Sequence, residues 1–292
     1  MIRVANPIYE SVFKYLVEDK RIAKILLSSL IRKEVIDIEM RPHEYANTTK
    51  DNVSLFCIDF GAKVREADGS EKIILIELQK NWVETETLRF RQYLGVQYAN
   101  PDNMDPATNN HYAFPTITIY LLGHRVGDIE EPVLYVGRKY TNEKGVEITQ
   151  GLPNEFVDSL THESIIVQLP LLKGQKSTRL EKILNVFSQT RKDEENHQAL
   201  KIDDEMFEED DEVKQVLTRL LCAASDTEIR MPMNIEEKFC SVLEKRETEI
   251  LVARNRISQQ NQQLAQQQQQ LKRIAQMLQT SGKDISAIAG IM

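Results

Sequence analysis

Val53–Val64 reads VSLFCIDFGAKV, Arg65–Ser70 reads READGS, and Glu71–Lys80 reads EKIILIELQK. Two apolar runs rich in β-branched and aromatic residues flank an Asp68-Gly69 turn signal, the pattern of an antiparallel hairpin. Because both runs are largely apolar, the sheet that holds them is expected to be covered on both faces. Each run nevertheless carries a carboxylate inside its apolar stretch, Asp59 in the first and Glu77 in the second. Taking a carboxylate out of water costs on the order of several kcal/mol unless it is paired, protonated or bound to a cation.

The pairing of the two strands decides whether these carboxylates meet. Alternation sets Leu55, Cys57, Asp59 and Gly61 on one face of the first strand, and Ile73, Leu75, Glu77 and Gln79 on one face of the second. A two-residue Asp68-Gly69 turn pairs Ala67 with Ser70 and Asp59 with Leu78, which separates Asp59 from Glu77. A bulge or a three-residue loop shifts the pairing by one and sets Asp59 opposite Glu77, with Cβ atoms about 5 Å apart. That irregularity is predicted here.

Two carboxylates so placed suit Mg²⁺ or Mn²⁺, hard cations that prefer oxygen ligands. Such an ion lowers the pKa of a bound water and offsets charge developing on a phosphodiester. Gln79, on the Glu77 face, is suited to orient a water but not to take its proton, and Lys80 should point the other way.

Outward from the hairpin, residues 7 to 31 carry apolar side chains at the three-and-four spacing of one amphipathic helix or a close helix pair. ETETLRFRQYLGVQYAN, residues 84 to 100, has helical spacing through Leu88, Tyr93, Leu94, Gln97 and Tyr98. TITIYLLG and PVLYVGRKYT read as later strands. The fold class expected is α/β, a mixed sheet flanked by helices over residues 1–172, followed by a helical, acidic connecting region over 173–235. Leu243, Ile250, Ile257, Leu264, Leu271 and Leu278 then recur at seven-residue intervals among Gln and Asn, the seam of an α-helical coiled coil over 236–280. A short element, 281–292, closes the chain. The seam implies a homo-oligomer.

The segments around the hairpin add a resemblance. Asp59, the Asp-Gly turn and Ile76-Glu77-Leu78-Gln79 are similar to the D…ExK core of PD-(D/E)xK nucleases, in the ExQ form of the recombination-promoting nuclease and transposase family. Tyr9-Glu10-Ser11-Val12-Phe13-Lys14-Tyr15-Leu16 resembles that family's D-x-x-F-K-x-x-F helix. Arg89, Tyr93 and Tyr98 resemble its R-x-x-x-Y-x-x-x-x-Y helix, and Phe114-Pro115 to Leu122 the strand that follows. The resemblance covers roughly residues 6 to 125. It implies a restriction-endonuclease-like core and a Mg²⁺-dependent DNA endonuclease acting in recombination, transposition or defence. It further implies Glu10, Asp59 and Glu77 as metal ligands, Gln79 at the water, and Lys14, Arg89 and Tyr93 facing DNA phosphates. Ile58 stands in place of the family's Pro, Gln79 in place of its Lys, and Glu10 in place of its opening Asp. The Gln79 departure leaves a competing expectation, an oligomeric DNA-binding scaffold that keeps the fold without the chemistry.

Composition bounds these expectations. The 292 residues are 41% hydrophobic and 28% charged, values of a folding globular chain. The net charge of −8 opposes indiscriminate nucleic-acid binding. Carboxylates, however, concentrate between Asp193 and Glu212, whereas cations spread through the N-terminal part. Cys57, Cys222 and Cys240 form no CxxC, and the five histidines show no metal-ligand spacing, so zinc is not expected. No apolar run reaches the length of a membrane span, and the N-terminus lacks the pattern of a signal peptide, so a cytoplasmic protein without membrane partners is expected.

Overall fold

A computed structural model describes residues 1–41, 56–81, 87–106, 112–152, 154–174, 177–208 and 210–280 of the chain. The chain divides into two compact units, Met1–Asn234 and Ile235–Met292. The first unit opens with β1 (Ile2–Ala5), α1 (Glu10–Glu18) and α2 (Lys20–Ile31). The apolar N-terminal stretch is therefore a close helix pair. Asp19 divides it, leaving the helical conformation and accepting the Arg21 N–H at 3.0 Å to cap α2. α2 ends on Arg32 in the left-handed region, φ 56°, with its guanidinium 3.8 Å over the Tyr135 ring.

Then follow β2 (Glu34–Arg41), β3 (Phe56–Arg65), β4 (Glu71–Asn81), α3 (Thr87–Ala99), β5 (Thr116–Leu122), β6 (Val133–Val136), α4 (Glu155–Ser159) and β7 (His162–Gln168). Six of these strands form one mixed sheet in the order β2-β3-β4-β5-β7-β6. β2, β3 and β4 are antiparallel neighbours, and the crossover through α3 brings β5 parallel to β4. Of the expected strand PVLYVGRKYT, only Val133–Val136 joins the sheet, and Thr141 makes an isolated bridge to Glu147.

The β3–β4 loop has three residues, Ala67, Asp68 and Gly69. Glu66 and Ser70 close it with an N–H to carbonyl bond of 2.9 Å, and Gly69 takes φ +84°. Asp68 Oδ1 accepts both the Ser70 N–H and its hydroxyl, at 2.9 and 2.6 Å. This loop pairs Phe60, Ala62 and Val64 with Ile76, Ile74 and Lys72. The apolar members of that face are at most 1% exposed. α2 lies against this face, as the Tyr135 hydroxyl shows by donating to the Leu30 carbonyl at 2.9 Å. α3 lies on the other.

The rest of the first unit is α5 (Arg179–Asn185), β8 (Ala199–Ile202), α6 (Asp211–Ser225) and the start of α7 (Thr227–Thr280). This segment, expected as a connecting region, is instead part of the core. β8 pairs antiparallel with β1, and Val213, Val216, Leu217 and Leu220 of α6 are buried with the residues of α1 and α2. Arg219 donates to the Tyr15 carbonyl at 2.9 Å while lying 3.5 Å over the Tyr15 ring. The burial of this apolar surface outweighs the local acidity that marks the segment in sequence. In the second unit the chain is helical as far as Thr280, and the short element 281–292 lies outside the described residues. Among the described residues, no helix is long and apolar enough to cross a membrane.

Candidate active site on the sheet

The three-residue loop sets the register on which the site depends. Asp59 of β3 is directly opposite Glu77 of β4. The neighbouring pairings continue the row across five strands: Arg41 of β2 opposite Asp59, Thr118 of β5 beside Glu77, and Ser164 of β7 beside Thr118. Strands lie about 4.8 Å apart, so the row places polar residues at one level of one face. Thr118 is fully buried, and its hydroxyl donates to Ser164 Oγ at 2.8 Å.

The next level along β4 holds Gln79, 0% exposed and beside Tyr120. The Phe90 ring of α3 lies 4.9 Å from that of Tyr120. At the far end of the helix the Tyr98 hydroxyl is hydrogen-bonded to His162 Nδ1 at 2.7 Å. α3 thus crosses the face that carries the row, and Gln79 lies in its packed interior. A buried amide at this position suits holding and orienting a neighbour better than proton transfer, since an amide does not titrate.

The backbone thus brings Asp59, Glu77 and Gln79 to one face, beneath the helix that carries Arg89 and Tyr93. The side chains of Asp59, Glu77, Arg89 and Tyr93 lie outside the described ones. Glu10, half-buried, and Lys14, exposed, are on α1, in the helical layer of the opposite face. The strand register alone does not bring either of them to the row. Among the described residues no group of three His, Cys, Asp or Glu side chains is placed to hold a metal ion.

Arg41, Thr118 and Ser164 of the row escaped the sequence reading. Arg41 ends a strand, EVIDIEMR, whose alternation was visible but whose partner across an intervening segment was not. Thr118 sits in a run that reads as uniformly β-forming, so nothing local marks it as polar lining. The electrostatics beside the row are set by Arg138, which pairs with Asp158 at 2.9 Å and donates to the Thr161 hydroxyl at 2.7 Å. Burial first, and the positive Arg138 second, hold the His162 imidazole below its ordinary value. At the hairpin tip, burial works to raise the Glu66 carboxyl, but hydrogen bonds from Lys72 and Lys33 outweigh it and hold the group low.

No family model, no curated protein and no solved structure matches this chain.

Proposed function

We propose that the protein is a metal-dependent DNA endonuclease with its active site on the α3-covered face of the hairpin. The observation that carries the reading is the register that sets Asp59 opposite Glu77. Opposed carboxylates on adjacent strands are a costly arrangement unless a cation offsets their repulsion. Their hard oxygen donors fit Mg²⁺ or Mn²⁺. Asp59 and Glu77 would hold the ion, and the bound ion would supply an activated water and charge compensation at the phosphodiester; Glu10, on α1 in the helical layer of the opposite face, is not part of this site. Gln79 orients that water by hydrogen bonding. Arg89 and Tyr93 of α3 hold the DNA backbone; Lys14, on α1 in the layer of the opposite face, takes no part at this site. The order of elements, helix, hairpin, crossover helix and parallel strand, agrees with a restriction-endonuclease-like core. The heptad seam pairs copies of the chain into a homo-oligomer, and the setting is cytoplasmic DNA recombination, transposition or defence.

Nicking of supercoiled plasmid by the purified chain in Mg²⁺, Mn²⁺ or EDTA tests the reading. Metal-dependent nicking is expected, reduced on the order of 100-fold or more by Asp59→Ala and by Glu77→Ala. Equal nicking by wild type and both variants would identify a contaminant instead. A second reading, a DNA-binding scaffold without catalysis, draws on the full burial of Gln79 where the resemblance implies a lysine. DNA binding without any metal-dependent nicking would favour it.

A further inference from the structure

The row across the sheet contains a cation to which the function proposed above gives no role. Arg41 stands opposite Asp59, and its side chain lies across the site face: its Nε and Nη2 are 3.5 and 3.8 Å from the position a Cβ on Gly61 would take. Gly61 is two residues from Asp59 on the same face, about 7 Å along the strand. Nη1 donates to Oδ1 of Asn103, a side chain only 2% exposed. Asn103 is itself held from several directions. Its Nδ2 donates to the Gln97 carbonyl and to Gln97 Oε1 at 2.9 and 2.8 Å, and its carbonyl accepts the Phe114 N–H at 2.9 Å. The guanidinium is therefore fixed from behind by a neutral amide.

Its neighbours on that face are bound differently. Lys63 is paired with Glu71 at 2.5 Å, and Arg65 with Glu34 at 2.6 Å. Among the described residues no carboxylate is paired with Arg41. A guanidinium held by one N–H to a neutral amide keeps its full charge and most of its five donors, in a planar fork that matches a phosphate. We infer that Arg41 binds a non-bridging phosphate oxygen of a DNA strand at the Asp59–Glu77 site. It supplies the fixed positive charge that a lysine at position 79 would otherwise bring. The inference rests on the endonuclease reading for its substrate, and on the Arg41–Asn103 geometry for its residue.

The test measures binding and cutting separately on the full chain. Binding of a fluorescent DNA duplex is followed by anisotropy over a salt series, with Ca²⁺ in place of Mg²⁺, for wild type, Arg41→Gln, Arg41→Lys and Asn103→Ala. Plasmid nicking and thermal melts are run beside it. Arg41→Gln should lower the slope of log K against log salt by about one, because one phosphate contact is lost, and should reduce nicking on the order of 100-fold. Arg41→Lys should keep the slope. Asn103→Ala should keep the slope while nicking falls, since the charge remains but is no longer aimed.

An unchanged slope and nicking rate in Arg41→Gln would overturn the assignment and leave the endonuclease reading standing. A lower melting temperature with unchanged slope would make Arg41 a strut for Asn103 and overturn it equally. If wild type binds with an Arg41-dependent slope but never nicks, the assignment holds and the nuclease reading falls. Absence of salt-dependent DNA binding by wild type would remove both. Should Arg41→Gln fail to fold, the contrast between Arg41→Lys and Asn103→Ala decides: a slope lowered in Asn103→Ala to the same degree as its stability would overturn the assignment.

Discussion

His162 opens β7 facing α3, its ring 6.0 Å from that of Tyr98 and hydrogen-bonded to the Tyr98 hydroxyl. With its folded value held below 6.5 by burial and by Arg138, the imidazole binds a proton less readily in the native chain than in the unfolded one. Between the two values the unfolded state binds more protons, so stability rises with pH. The contribution is complete above the unfolded value of about 6.5 and is lost as pH falls through it toward the lower folded value. His162→Gln is therefore expected to flatten the fall of the urea midpoint between about pH 7.5 and 5 relative to wild type. The same slope in variant and wild type would mean that another group carries the dependence. Tyr98, which packs on His162, is 64 residues away in sequence, so the sequence marks the residue only as a histidine without metal-ligand spacing. Asp59 and Glu77 were legible for the opposite reason: a carboxylate inside an apolar run stands out without any partner being known. Arg41 was not, because an arginine at the end of a strand is ordinary until Asn103 is seen behind it.

Among the elements, the hairpin turns on one glycine. Gly69 takes φ +84°, and a Cβ built there meets nothing within 4 Å, so the cost of a side chain is conformational and not steric. Gly69→Ala should lower stability by about 1 kcal/mol, and Gly69→Asn by less, as Asn tolerates the left-handed region. Urea denaturation measures both. Nicking by either variant should survive, because pairing along the strands and not the loop alone fixes Asp59 against Glu77; a loss of nicking at full stability would show that the loop itself sets the register. Turn chemistry alone allows a two-residue or a three-residue loop, and the shifted register was expected from the two carboxylates, as a bulge or a three-residue loop. What separates the two registers is the core face: only the shifted register pairs Phe60 with Ile76 and Ala62 with Ile74 on the buried side. Other elements gave no such signal. β1 and β8 are four residues each and pair across the whole first unit, Ile2 with Ile202, a contact for which neither strand carries a local pattern. The acidic stretch around Asp203–Glu212 hid α6 in the same way, since its carboxylates cap and flank the helix while its apolar stripe faces the core.

At the scale of the molecule, the second unit presents apolar side chains on a helix that is otherwise Gln, Asn and charge. Ile257, Leu264 and Leu271, one heptad apart, are 57%, 57% and 56% exposed. Such a stripe on a polar helix is stabilised when a second copy covers it, each Leu gaining about 1.5–3 kcal/mol on full burial. The companion positions Gln260 and Gln267 would add little to the proposed association, which would rest on two or three seam residues, so charge placed there should dissolve it. Leu264→Lys with Leu271→Lys sets like charges against each other across the seam and removes the burial together. The double variant should elute with the mass of the 33.7 kDa single chain by light scattering, while the wild type runs as a multiple of it. An unchanged multiple would place the interface elsewhere. The same variant separates two roles of assembly in the proposed reaction. If two sites act together on opposite DNA strands, single-strand nicking should persist while direct conversion of supercoiled plasmid to linear falls. If both fall in parallel, association is needed to complete one site, and the Asp59–Glu77 row alone does not suffice for cutting.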